Sequence, residues 1–285
     1  MYMTDYNLAT VVDAFEQLEE KNGVYQILEL VKEKIFDGEL NKENINEFKS
    51  FTRKFTTMYY LMKDKFSDIW RDGWERYFEH LRAVVVNTLE LPNPSLQKVM
   101  IALAHDSIED TNKTFAWLAE DYGSLLAIWV QALSKNHWSE YRPDKYKNTD
   151  AWFWNTQADK AIKYEAVVKR NEDYFGHLVS FDSMKQHILS IAKQYDVEIT
   201  DTQANILTQD ALDVKFADRI HNLSTQWDPD NLKQVRKKVD ETKKYFLKVA
   251  QETNIDAYSR LQSLVLKLEI QLSRAGEKVE NILVG

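Results

Sequence analysis

The side chains best suited to chemistry in this sequence fall in three places. His105-Asp106 closes the apolar run Val99-Met100-Ile101-Ala102-Leu103-Ala104. Two polar residues at the end of a wholly apolar helix need partners, because burying an unpaired carboxylate is costly. Metal coordination is one way to satisfy both. Glu109 and Asp110 follow at once. If the helix continued, His105 and Glu109 would share one face, as would Asp106 and Asp110. Three carboxylates and an imidazole so close together concentrate negative charge that a divalent cation would stabilise. The second place is Asp218, Asn222 and Thr225, which line one side of a helix at i, i+4 and i+7 among Val214, Phe216, Ala217, Ile220 and Leu223. A polar line through a core-like helix is a site candidate. The third is His80, followed by Val84 and Val85.

Each residue also has a plain explanation. His80 alone reads as a packed or surface histidine, and Asp218 as an ion-pair partner of Lys215 or Arg219. Glu109-Asp110 alone is a helix-end charge cluster, and Arg71 alone a solvated side chain. His221 points away from the Asp218–Asn222 line and is expected to be structural. His137, His177 and His187 receive no role.

The elements that must position these groups are helical. Val24, Ile27, Leu28, Val31 and Ile35 form one stripe. Residues 7–21 and 41–63 have helical composition, and Trp70 to Leu89 predicts a long helix. Asn93-Pro94 reads as cap and first helical position. The helix after it, to about Asp106, is apolar all round and should be buried all round. Thr114 should cap a helix towards Tyr122, with Gly123 as its stop. From His137 to Asn155 the chain is irregular and aromatic, with Trp138, Trp152 and Trp154. Helices are expected near 157–173, over 181–196, over 211–225 and over 232–252, the last rich in Lys and Arg. Ala257, Leu261, Val265, Leu268 and Leu272 form a closing stripe. The aromatic segment is expected to pack on the core or to serve as a lid or subunit contact. The basic helix is expected to be a solvated face, or to add phosphate-attracting potential.

Composition narrows the class. Of 285 residues only 7 are Gly and 4 Pro, which argues against folds built on many turns. With 44% apolar and 12% aromatic residues the chain can fill a core. There is no Cys, so disulfides, thiolate metal sites and Cys nucleophiles are excluded. A net charge of −8 is a poor balance for a general nucleic-acid binder. No apolar run reaches membrane-spanning length, and the amino terminus lacks a signal-peptide pattern. The expectation is an all-α, soluble, cytoplasmic protein.

Together the residues resemble a family. His80, then His105-Asp106, then Asp218 is the ligand order of the HD phosphohydrolase superfamily. The words "RDGWERYFEH" (71–80), "AHDSIEDT" (104–111), "LSK" (133–135) and "VKFADRIHNLST" (214–225) are similar to the hydrolase domain of RelA/SpoT alarmone enzymes. Glu241-Thr242 and the closing stripe fit as well. The resemblance covers about 66–135 and 208–272. It implies an HD-domain helical bundle at 66–273, with an insertion at about 136–207. Around it stand an N-terminal helical extension at 1–65 and a C-terminal tail at 274–285.

The resemblance also implies roles. His80, His105, Asp106 and Asp218 would bind one Mn²⁺, with Fe or Mg as alternatives. Two imidazoles and two carboxylates suit a mid-series metal. Glu109 and Asp110 would be catalytic, orienting or deprotonating water or managing the leaving group's proton. Arg71 would stack on a purine, Asn222 and Thr225 would contact nucleoside or phosphate, and Lys135 would offset phosphate charge. The implied reaction is release of pyrophosphate from the 3′ position of ppGpp or pppGpp, with no synthetase domain. The sequence departs from the family's pattern at Leu81, where Pro is usual, and at Asp72, where a base is usual. Alternatives are another nucleotide substrate (an adenine alarmone, NADPH or a dNTP) or a non-catalytic nucleotide-sensing module. A role as antitoxin or phage counter-defence against an alarmone synthetase uses the same chemistry. The expected partner is a small nucleotide, with no nucleic acid or membrane and with room for a homo-oligomer.

Overall fold

The computed structural model describes residues 23–70, 76–111, 113–144 and 157–284. These residues are overwhelmingly helical, and no strand forms among them. An isolated bridge pairs Trp70 with Arg76. The expected helix at 7–21 lies outside the described residues, as do Arg71, Asp72, Trp152 and Trp154. The chain divides into two compact units between Ala104 and His105.

The first unit contains α1 (Val24–Ile35), α2 (Ile45–Lys65), α3 (Tyr77–Glu90) and α4 (Leu96–Ala104). Val24, Ile27, Leu28 and Val31 bury the stripe of α1, which packs on α2 and α3. Phe51, Phe55 and Tyr59 stack down α2 to meet Phe78 of α3, with Tyr59 and Phe78 edge to face at 4.9 Å. The predicted start of α3 at Trp70 moves to Tyr77, because residue 70 pairs with Arg76 in the bridge and the Tyr77 amide donates to the Ile69 carbonyl. α4 is buried on every side from Val99 to Ala104, as its composition demands. Its cap is not Asn93. That residue adopts left-handed φ 54°, which Asn tolerates, and Ser95 Oγ accepts from the Lys98 amide instead.

The second unit contains α5 (Ser107–Asp110), α6 (Phe115–Tyr122), α7 (Ser124–Leu133), a 3₁₀ turn (Trp138–Tyr141), α8 (Gln157–Leu178), α9 (Phe181–Gln194), α10 (Asp201–Ser224), α11 (Leu232–Tyr245), α12 (Leu247–Thr253) and α13 (Ile255–Val284). Thr114 Oγ1 accepts from the Trp117 amide, and Gly123 ends α6 at φ 98°, both as predicted. α10 starts well before the expected 211, on a capping box in which Thr200 and Gln203 satisfy each other's amides. α7, α9, α11 and α13 all pack against α10. The Trp129 indole donates to the Leu207 carbonyl at 2.8 Å, fixing the register of α7 on α10. The expected helix 232–252 breaks at Phe246, whose buried side chain separates α11 from α12. On α13 the five predicted stripe residues are all buried.

Candidate metal centre

α4 does not run on through His105. The chain turns there, and α5 restarts with the Asp110 amide donating to the Asp106 carbonyl at 2.9 Å. His105 is therefore held at a helix break and is 0% exposed. Its Nε2 lies 3.0 Å from Asp106 Oδ2. Burial alone would lower the imidazole pKa, but the Asp106 and Asp218 carboxylates outweigh it, and the group titrates above its ordinary value.

Asp218 comes from the last third of α10 and is 5% exposed. Two neighbours on its own helix fix it. Lys215 Nζ sits 2.7 Å from Oδ2, and Asn222 Nδ2 donates to Oδ1 at 2.5 Å. The sequence left Lys215 and Arg219 both open as partners. Lys215 takes Asp218, while Arg219 Nη1 pairs with Glu241 Oε2 at 3.3 Å. Burial opposes the charge of Lys215, yet Asp218, Tyr174 and Asp106 hold its pKa well above the ordinary lysine value. Its ammonium therefore stays charged at neutral pH inside the core.

His80, on α3, is buried and faces the edge of the Tyr77 ring at 5.7 Å. The residues beside it form a buried ionic set. Glu79 pairs with Arg82 and with Arg76, and Arg82 also donates to the Tyr59 hydroxyl. His80, His105 and Asp218 are all buried, and each offers one ligand atom within 4.8 Å of the others'. Two imidazoles and a carboxylate at that separation could hold a metal ion. The donor set is nitrogen and oxygen only, which fits a borderline or hard divalent cation. Asp106, the fourth expected ligand, is not in this group of three, but its carboxylate is in contact with His105.

No protein-family model matches the chain, and no curated protein matches it.

The remaining expected site residues divide. Glu109 does not share a helix face with His105, because the helix is interrupted. Its carboxylate is instead gripped by Lys135, through Nζ at 2.9 Å and the backbone amide at 3.2 Å. Burial would lower the Lys135 pKa, but Tyr174 and Glu109 raise it above its ordinary value. Two residues assigned separate tasks thus form one ion pair. Asp110 ends α5 and is half-buried. Asn222 donates to Asp218. Thr225 caps α10 and gives its hydroxyl to the His221 carbonyl at 3.1 Å. Arg71 lies outside the described residues. Sequence reasoning offered Lys215 only as one of two possible partners of Asp218, and it missed Tyr174. The first carried a signal, since a lysine three residues before Asp218 in an otherwise apolar stretch must pair or be expelled. Tyr174 carried none.

Proposed function

We propose that this chain is a metal-dependent phosphohydrolase of the HD type, which removes pyrophosphate from the 3′ position of ppGpp or pppGpp. The observation that carries the reading is the buried set of His80, His105 and Asp218, with Asp106 against His105. His80, His105, Asp106 and Asp218 would hold one divalent cation, with Mn²⁺ the best fit to the donor set. Such an ion supplies Lewis acidity toward a phosphoryl group and lowers the pKa of water. Lys215 and Asn222 each hold one oxygen of the Asp218 carboxylate, which limits how it can turn. Glu109, steadied by Lys135, accepts or orients the proton of the attacking water, and Asp110 serves the leaving group. Lys135 reaches a phosphate by sharing its ammonium with Glu109. Arg71 stacks on the guanine, and Asn222 and Thr225 approach the nucleoside.

The direct test is incubation of purified protein with Mn²⁺ and ppGpp. GDP and pyrophosphate should form, and His105→Ala should remove the activity. No GDP above that control overturns the assignment. Arg71→Ala should raise KM about 10-fold with a smaller change in kcat, as loss of a stacked cation predicts. Asp72, an acid beside Arg71, favours a second reading in which another nucleotide is the substrate. A panel holding ppGpp, an adenine alarmone, NADPH and dNTPs separates the two.

A further inference from the structure

The metal centre's ion pairs rest on a pair of aromatic residues from α8, inside the segment expected to be an insertion. Tyr174 is 5% exposed, and its hydroxyl donates to the Leu133 carbonyl at 3.1 Å, beside Ser134 and Lys135. Lys135 Nζ lies 5.0 Å from the Tyr174 ring centroid, and Lys215 Nζ lies 5.3 Å from the same ring. Both distances are within cation–π range. The next residue, Phe175, is 5.9 Å from the Arg219 guanidinium, whose other neighbour is the Phe246 ring at 4.3 Å. Three cations, each paired to its own carboxylate (Lys135 with Glu109, Lys215 with Asp218, Arg219 with Glu241), thus share one aromatic seat.

We propose that Tyr174 is a positioning residue of the metal centre, whose ring face holds Lys215 and Lys135 so that Asp218 and Glu109 are presented in fixed orientations. Two lysines against one ring, in a buried place, repel each other, so neither would choose this position without compensation. The ring supplies it from the third side, while the two carboxylates supply it from the others. The hydroxyl ties α8 to the end of α7 and is also in hydrogen-bond contact with Lys215. Tyr174→Phe removes both contacts and keeps the ring, so the share of each can be measured. The proposal rests on the metal-centre reading above, and on α8 lying outside the segments that carry the family resemblance.

The test is Mn²⁺ affinity of the full chain by titration calorimetry, with turnover measured alongside. Tyr174→Phe keeps the ring and should bind Mn²⁺ within about 3-fold of wild type. Tyr174→Leu fills space without a quadrupole and should lose on the order of 10-fold, the usual scale for a residue that orients a ligand. The decisive series replaces Tyr174 with phenylalanines bearing one, two and three ring fluorines. These preserve volume while draining the ring face of negative charge. Affinity should fall stepwise with each fluorine, whereas a residue that merely packs would give a flat series. The fluorinated proteins also keep the test open if Tyr174→Leu fails to fold. Wild-type affinity in Tyr174→Leu, or a flat fluorine series, overturns the proposal while leaving the metal centre intact. A wild-type chain that takes up no Mn²⁺ overturns both.

Discussion

Asp218 has one oxygen on Lys215 and the other on Asn222, so its position is fixed before any ion arrives. Glu109 is held just as firmly, but by Lys135, and it is not part of the group of potential ligand atoms. The two carboxylates should therefore fail differently. Asp218→Ala should abolish Mn²⁺ uptake and turnover together, measured by metal analysis of the purified protein and by product formation. Glu109→Gln keeps the size and polarity of the side chain. It should lower kcat by about 10²- to 10⁴-fold, the range for a lost acid–base group, while metal content stays at the wild-type level. Loss of metal from the Glu109 variant would place that residue among the ligands and overturn the division of labour. His80, His105 and Asp218 were legible as a possible metal-binding group because their order along the chain is distinctive. The state of each was not, because Lys135 and Glu109 meet only through the packing of α5 on α7.

α8 and α9 meet at His177 and His187, whose rings stack at 3.8 Å. Asp173 lies 3.7 Å from His177 and accepts from the Tyr141 hydroxyl. Burial, and then the neighbouring His177, lowers the His187 pKa to about 4 from an ordinary 6.5. Below pH 6.5 the unfolded chain takes up a proton that the folded chain refuses. The stability that His187 contributes is thus present above pH 6.5 and lost as pH falls towards 4, by about 3 kcal/mol. His187→Gln should flatten that part of the stability–pH curve, read by urea unfolding at pH 4.5, 5.5 and 7. An unchanged acid slope would show that other groups set it. At the junction of α6 and α7, Gly123→Ala should cost about 1–2 kcal/mol by the same method, from backbone strain at φ 98° alone, since a Cβ there meets nothing within 4 Å. Such elements differ in how openly the sequence shows them. The stripe of α13 repeats without interruption, and α4 is apolar throughout, so both were plain. The first turns of α10 are polar and unstriped, although Thr200 and Gln203 mark its start. Tyr174 looks like any aromatic in a mixed helix, and its meaning depends on one lysine just past the end of α7 and another on α10.

For the chain as a whole, a site that organises buried charge should make folding depend on the ion. Mn²⁺ at about a hundred times its dissociation constant should add roughly 2.7 kcal/mol, which raises Tm by about 5 °C in a chain of this size. His105→Ala should erase the shift, and a Tm indifferent to Mn²⁺ in wild type would count against the metal centre. Among the described residues no helix is long and apolar enough to cross a membrane, and with a net charge of −8 the concentrated cations around Tyr174 are a local exception. α10 has one more consequence, for how this protein can change over time. Leu207, Lys215, Asp218, Arg219 and Asn222 ride on a single uninterrupted rod, each turned about 100° from the residue before it. Swapping a side chain there spoils one partner. Adding or deleting one position between Leu207 and Asp218 would swing the entire downstream set off its targets at once, so descendants of this gene should vary in length elsewhere and keep that stretch at constant count.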